Sequence, residues 1–164
     1  MARRLRPVGL DFVAVAPLRL VFVARMAAPP ERVHAALAGD VPGWARWFRA
    51  VTVARRVERA GGDGREIRLL GGARFLETVL ADEPSRRYAY RVDVTNAPGV
   101  RAVLEDWQLL PAGTGTVVRW TVAVDGPAPV RLAIALGRPG LGHAFRDAMR
   151  SLDRRLAAMH GGGA

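Results

Sequence analysis

Apolar positions along this chain recur at two periods, and the change from one to the other divides it. "LRLVFVAR" (residues 18–25) and "AVTVARRVERA" (50–60) are rich in β-branched and aromatic side chains and read as strands, the second with Val51, Val53 and Val57 on one face. "REIRLL" (65–70) and "ARFLETVLA" (73–81) form a hairpin across Gly71-Gly72, and "GGDG" (61–64) joins it to the strand before. In "YAYRVDV" (88–94), Tyr88, Tyr90, Val92 and Val94 alternate with polar positions; "VLEDWQLL" (103–110) and "TVVRWTVAVD" (116–125) complete seven expected strands. Beyond residue 125 the period lengthens. "PVRLAIALG" (129–137) predicts a short apolar helix that "GRPG" breaks. In "HAFRDAMRSLDRRLAAMH" (143–160), Phe145, Met149, Leu152, Leu156 and Met159 stand three and four apart, the single apolar stripe of a long helix.

Between the first two strands, "AAPPERVHAALAGDVPGWARWF" (27–48) predicts two short helices separated by Gly39-Asp40. Trp44, Trp47 and Phe48 lie within five positions there, too much aromatic surface for a solvent-facing turn. Residues 1–17 read as an N-terminal arm, extended at "VGLDFVAVA", residues 18–160 as one domain, and residues 161–164 as a disordered tail.

The order of strand, two short helices, six antiparallel strands and long helix resembles the SRPBCC superfamily, the START-like or helix-grip fold of the α+β class. Within it the chain is similar to the polyketide cyclase/dehydrase and lipid-transport group of actinobacterial type. The residues that carry the likeness are "APPERVHAAL", Asp40 with Trp44 and Trp47, "GGARFLETVLADEPSRRYAYRV", "DWQLLPAGTGTVVRWTV" and the closing helix. The resemblance implies a seven-stranded curved antiparallel sheet around the C-terminal helix, with a cavity between them. The two short helices would plug one end, so that Trp44, Trp47 and Phe48 close or line it. "LLGGARF" and "TNAPGVR" would form the other mouth, with the helix at 129–137 as a flap over the pocket.

A ligand cavity is mostly apolar with a few placed polar groups, so polar residues on apolar strand faces are the candidates. Glu105 sits between Val103 and Trp107; if Trp107 opposes Trp120, Glu105 opposes Val122 on the same face. Tyr88 and Tyr90 lie on the apolar face of their strand, and Arg55 on the valine face of its own, where it would serve as a pocket cation or rim residue. Glu77 stays open. A two-glycine turn pairs Leu70 with Ala73, which puts Glu77 opposite Glu66 and Phe75 opposite Arg68. Periodicity then favours Ile67, Leu69, Leu76 and Leu80 as the inward face. The resemblance instead directs a glutamate from this part of the strand into the pocket, with Arg68 as its natural partner. Phe75, Phe145 and Met149 complete the expected lining, and His143 reads as a cap or surface residue.

Composition narrows the function. The net charge of +10 suggests nucleic acid, but all 25 basic residues are arginine and they are scattered rather than striped, which describes a solvated basic surface. No cysteine is present, and three separated histidines give no ligand spacing, so neither a metal nor another cofactor is expected. No apolar run is long enough to span a bilayer. A cytoplasmic protein that binds a small hydrophobic molecule (lipid, isoprenoid, polyketide or aromatic metabolite) is expected, as monomer or homodimer, without nucleic acid or stable membrane insertion. The alternative is a polyketide aromatase/cyclase or dehydratase, with Glu105 or Glu77 as general base and Tyr90 or Arg55 polarising a carbonyl. A third reading is an interaction module with a vestigial pocket.

Overall fold

Alternating apolar residues bounded by turn chemistry give β2 (Leu18–Met26), β3 (Val51–Arg59), β4 (Gly62–Leu69), β5 (Arg74–Glu83), β6 (Arg87–Thr95), β7 (Ala102–Ala112) and β8 (Gly115–Asp125). In the computed structural model, which describes residues 1–161, they form one antiparallel sheet in the order β2-β8-β7-β6-β5-β4-β3. Strands β3 to β8 form a meander, while β2 pairs with β8 and so forms the edge opposite β3. The helices α2 (Pro30–His34) and α3 (Trp44–Trp47) lie between β2 and β3; α4 (Ala128–Leu136) and α5 (Arg138–Gly161) follow β8. No helix among the described residues is long and apolar enough to cross a membrane.

The two-helix segment is built by local signals. Pro29 precedes the first turn of α2 and Pro30 occupies it, where a missing N–H is harmless. The chain then widens into a π-helical turn, Ala35–Gly39, and the Asp40 carboxylate accepts from the Gly43 N–H at 3.1 Å to start the next turn. Trp44 donates from its indole to Leu37 O at 2.9 Å, which ties the two short helices together.

The arm differs from the extended segment expected of it. Arg3–Arg4 form a two-residue strand, β1, against β6, and Phe12–Val15 form a helical turn, α1. Val8 and Phe12 cover Ala102, Leu104 and Ala123 on the outer face of the sheet. Burial of a second apolar patch, invisible to local periodicity, bends this segment back onto the sheet.

The inner face packs against α5. Phe145, Met149, Leu152 and Leu156 are buried there, but Met159 is 76% exposed, because the stripe outruns the sheet beneath it. The helix begins five residues earlier than the histidine that marked its expected start, since Pro139 fits a first turn as readily as it breaks an interior. Its last residue is Gly161; the rest of the expected tail, 162–164, lies outside the described residues. Trp107 and Trp120 stack across β7 and β8 at 5.0 Å, with Phe145 5.6 Å from Trp120.

Three irregularities decide which side chains face inward. A bulge between Val51 and Val53 leaves Val51 inside but turns Val53, Arg55 and Val57 outward. The β4–β5 turn holds three residues, Leu70 to Gly72, closed by Leu69 N–H to Ala73 O, so Arg65 pairs with Glu77 and Ile67 with Phe75. Further register shifts in the β5–β6 ladder occur at Leu76/Glu77 and Val79/Ala81. A one-residue slip moves every following side chain to the opposite face.

Candidate functional site

Between the sheet and the first turns of α5 lies a cavity of about 160 Å³. Its rim is apolar and partly exposed: Ala50, Leu69, Phe75, Leu141 and Ala144. Trp44, Phe48, Val51, Ile67, Trp120 and Val122 form the walls. Four ionisable side chains reach it, Arg65, Glu77, Tyr90 and Glu105, from the centres of β4, β5, β6 and β7.

These four form one network. Arg65 and Glu77, directly opposed across β4 and β5, make a salt bridge from Nε to Oε2, with both side chains almost fully buried. Two aromatic rings flank the guanidinium: its carbon lies 3.6 Å from the Tyr90 ring centroid and 4.3 Å from that of Trp44. Tyr90 donates its hydroxyl to Glu105 Oε2 at 2.6 Å and accepts from the Trp107 indole at 3.0 Å. The same Glu105 oxygen accepts from the Trp120 indole at 3.0 Å. Among the described residues, Arg65 Nη1 is a buried donor with no acceptor.

Burial sets the electrostatics. Loss of hydration pushes the Glu77 carboxyl up to about 7, with Arg65 pulling it down and the Glu105 charge pushing it further up. Glu105 is also raised, by burial, against the hydrogen bond from Tyr90 and the charge of Arg65. The Tyr90 hydroxyl is raised well above its ordinary value by burial, and stays protonated. Burial lowers Arg65, but the charge of Glu77 and its neighbours more than restores it, so the guanidinium stays charged. One cation faces two carboxylates, a shortage that leaves a proton on the carboxylate pair near neutrality.

Of the residues singled out by sequence, Trp44, Phe48, Phe75, Glu77, Tyr90, Glu105 and Trp120 line the cavity. Trp47 does not: it is buried in the core behind Trp44, 4.7 Å away between ring centroids. Tyr88 lies on the inner face but under Arg65, 5.5 Å from the guanidinium, outside the lining. Trp107, Phe145 and Met149 fill the space behind the cavity wall. Arg55 is the plainest correction. It does sit on the valine face, but the bulge turns that face outward, where it donates to Glu66 at 2.8 Å. Arg68 is likewise outside and bonded to Glu66, so it is no partner of Glu77. His143 is exposed.

The helix α4 is not a lid over this cavity. None of its residues lines it, and Val130 presses instead on Gly99 of the 96–101 loop. A Cβ at Gly99 would stand 2.3 Å from Val130 Cγ2, and the residue has φ +80°, so only glycine permits that approach.

Arg65 lines the cavity and was not among the residues expected there from the sequence. A signal is present: Arg65 has the same parity as Ile67 and Leu69, the face that periodicity alone favours as inward. A charged residue at the end of an apolar alternation reads as a strand terminus, and only burial shows that it is the centre of the site.

Comparison with known proteins places this geometry. The family model described as polyketide cyclase / dehydrase and lipid transport matches residues 18–157. A protein of Mycobacterium tuberculosis described as uncharacterized is 30% identical over 158 residues, covering 92% of this chain and 94% of the relative. An aromatase/cyclase from a Streptomyces species superimposes with a TM-score of 0.68 at 18% identity, over 85% of this chain and 95% of that one. A START superfamily protein of Mycobacterium smegmatis gives 0.61 at 12% identity, over 86% and 98%.

Proposed function

The chain belongs to the polyketide cyclase/dehydrase and lipid-transport family, and from that premise we propose that it binds a small hydrophobic molecule in the cavity between sheet and α5. One observation carries the reading: an apolar rim and walls lead to a floor where Arg65, Glu77, Tyr90 and Glu105 converge. Burial of apolar surface would supply affinity at roughly 25 cal/mol per Å², and the polar floor would set orientation. Trp44 and Trp120 both line the cavity, so ligand entry should change intrinsic fluorescence. Native mass spectrometry of the freshly purified protein, followed by extraction, tests the reading. A discrete adduct lost on denaturation supports it; no adduct and no fluorescence response to any apolar probe would end it.

A second reading, an aromatase/cyclase or dehydratase, is favoured by one feature. Glu77, with a carboxyl near 7 and a second carboxylate in the same network, is suited to take and return a proton at neutral pH. Under this reading Glu105→Gln and Glu77→Gln would abolish turnover while leaving apolar ligand affinity within a few-fold.

A further inference from the structure

We infer that the ligand of this cavity is a neutral, compact, single-ring molecule with one hydrogen-bond-accepting oxygen, such as an aryl ketone or aldehyde, seated with that oxygen on Arg65 Nη1. This ligand class presupposes the binding function proposed above and narrows it.

Size comes first. An apolar cavity of roughly 150 Å³ accepts one benzene ring, whereas pockets for larger ligands run to about 300–1,000 Å³. At about 160 Å³ the space within the walls holds one substituted ring. A fused-ring polyketide or an acyl chain would leave most of its surface outside the partly exposed rim. Trp44, Phe48, Phe75 and Trp120 give it flat aromatic surfaces, which suit a planar guest.

The acceptor follows from Arg65. It packs against the Tyr90 and Trp44 rings, and its Nε is engaged by Glu77. Nη1 is the buried donor without an acceptor, so it is the atom left for a new partner. An unmet buried donor is costly, so a ligand that supplies an oxygen gains more than its apolar contact alone. Neutrality follows from the charge count. The Arg65 charge is already balanced within the cluster by its salt bridge to Glu77, and a ligand anion would add negative charge with no cation of its own beside Glu105.

The test is a fluorescence titration at pH 8 with four probes: acetophenone, ethylbenzene, benzoate and palmitate. Acetophenone should bind about tenfold more tightly than ethylbenzene, the gain expected for a hydrogen bond to a charged donor. Benzoate should bind more weakly than acetophenone, and palmitate should not compete with it. Arg65→Gln alone leaves carboxylates unpaired and endangers folding, so the double variant Arg65→Gln/Glu77→Gln removes the ion pair together. It should lose the preference for acetophenone while keeping ethylbenzene affinity within about threefold. Equal affinity for acetophenone and ethylbenzene would overturn the inference, as would a preference that survives in the double variant. Binding of palmitate in place of the single-ring probes would also overturn it, yet leave the binding function standing. Failure of all four probes would also overturn the inference, and the native mass spectrometry described above then decides whether the binding function stands.

Discussion

The β4–β5 hairpin carries an arginine–glutamate cluster on each of its two faces, one facing solvent and one facing the cavity. On the outer face Glu66 is only 1% exposed, yet what covers it is a layer of Arg55, Arg68 and Arg74 side chains, themselves 43–58% exposed. Burial pushes its carboxyl up, but hydrogen bonds from Arg55 and Arg68 and the charges of Arg55 and Arg74 win, and it falls to about 2. On the inner face Glu77 has a direct salt bridge of the same chemistry, and its carboxyl rises to about 7. The difference lies in stoichiometry and water. Three cations with wet sides serve one carboxylate outside, while one dry cation serves two inside. An ion pair therefore says nothing about a carboxylate's titration until its surroundings are known.

The largest expected effect breaks the inner cluster. Arg65→Met leaves Glu77 and Glu105 without a cation and should cost about 3–5 kcal/mol in urea unfolding at pH 8. The penalty should shrink at pH 5, where the orphaned carboxylates take up protons.

The pH dependence of stability separates the clusters by sign. Glu77 is raised from 4.5 to about 7 on folding, so its contribution is fully present below 4.5 and lost as pH rises through about 7. Glu66 is lowered from 4.5 to about 2, so its contribution is present above 4.5 and lost as pH falls through about 2. Thermal melts should show Glu77→Gln flattening the decline between pH 4.5 and 7, with the acid limb unchanged. Glu66→Gln should flatten the acid limb instead, and cost about 1 kcal/mol or less at pH 7, as exposed arginine partners imply. A common response of both variants at either limb would erase the distinction between the faces.

The smallest effect tests the misplaced cation. Arg55→Gln should change stability by less than about 0.5 kcal/mol and leave ligand titrations unaltered. A clear loss of ligand affinity in that variant would return Arg55 to the cavity. High salt should weaken the outer cluster and leave the inner one unaffected, since about 1 M salt screens exposed charges within about 3 Å.

The parts of the site that were legible in the sequence lie on uninterrupted ladders. Across β7 and β8 alternation places Glu105, Trp107, Trp120 and Val122 on one face, and the register assumed for Trp107 and Trp120 holds because no bulge intervenes. Tyr90 joins them by the same parity. The face of Glu77 and the partner of Arg65 were not legible, because a three-residue turn replaced the two-residue one and exchanged the faces of β5 relative to β4. Arg55 failed for a related reason, the bulge before Val53.

The sequence by itself determined the element order, the antiparallel meander, the apolar stripe of α5 and the inward set on β6 to β8. Each of these rests on a period that local sterics and burial enforce over many residues. Only the tertiary structure decided which carboxylates share a cation, and how much space remains between sheet and helix. Those depend on single-residue shifts in register and on the packing of Trp47, Trp107 and Phe145 behind the cavity wall. A shift of one residue alters no composition or periodicity, yet it moves a charge from water to the interior.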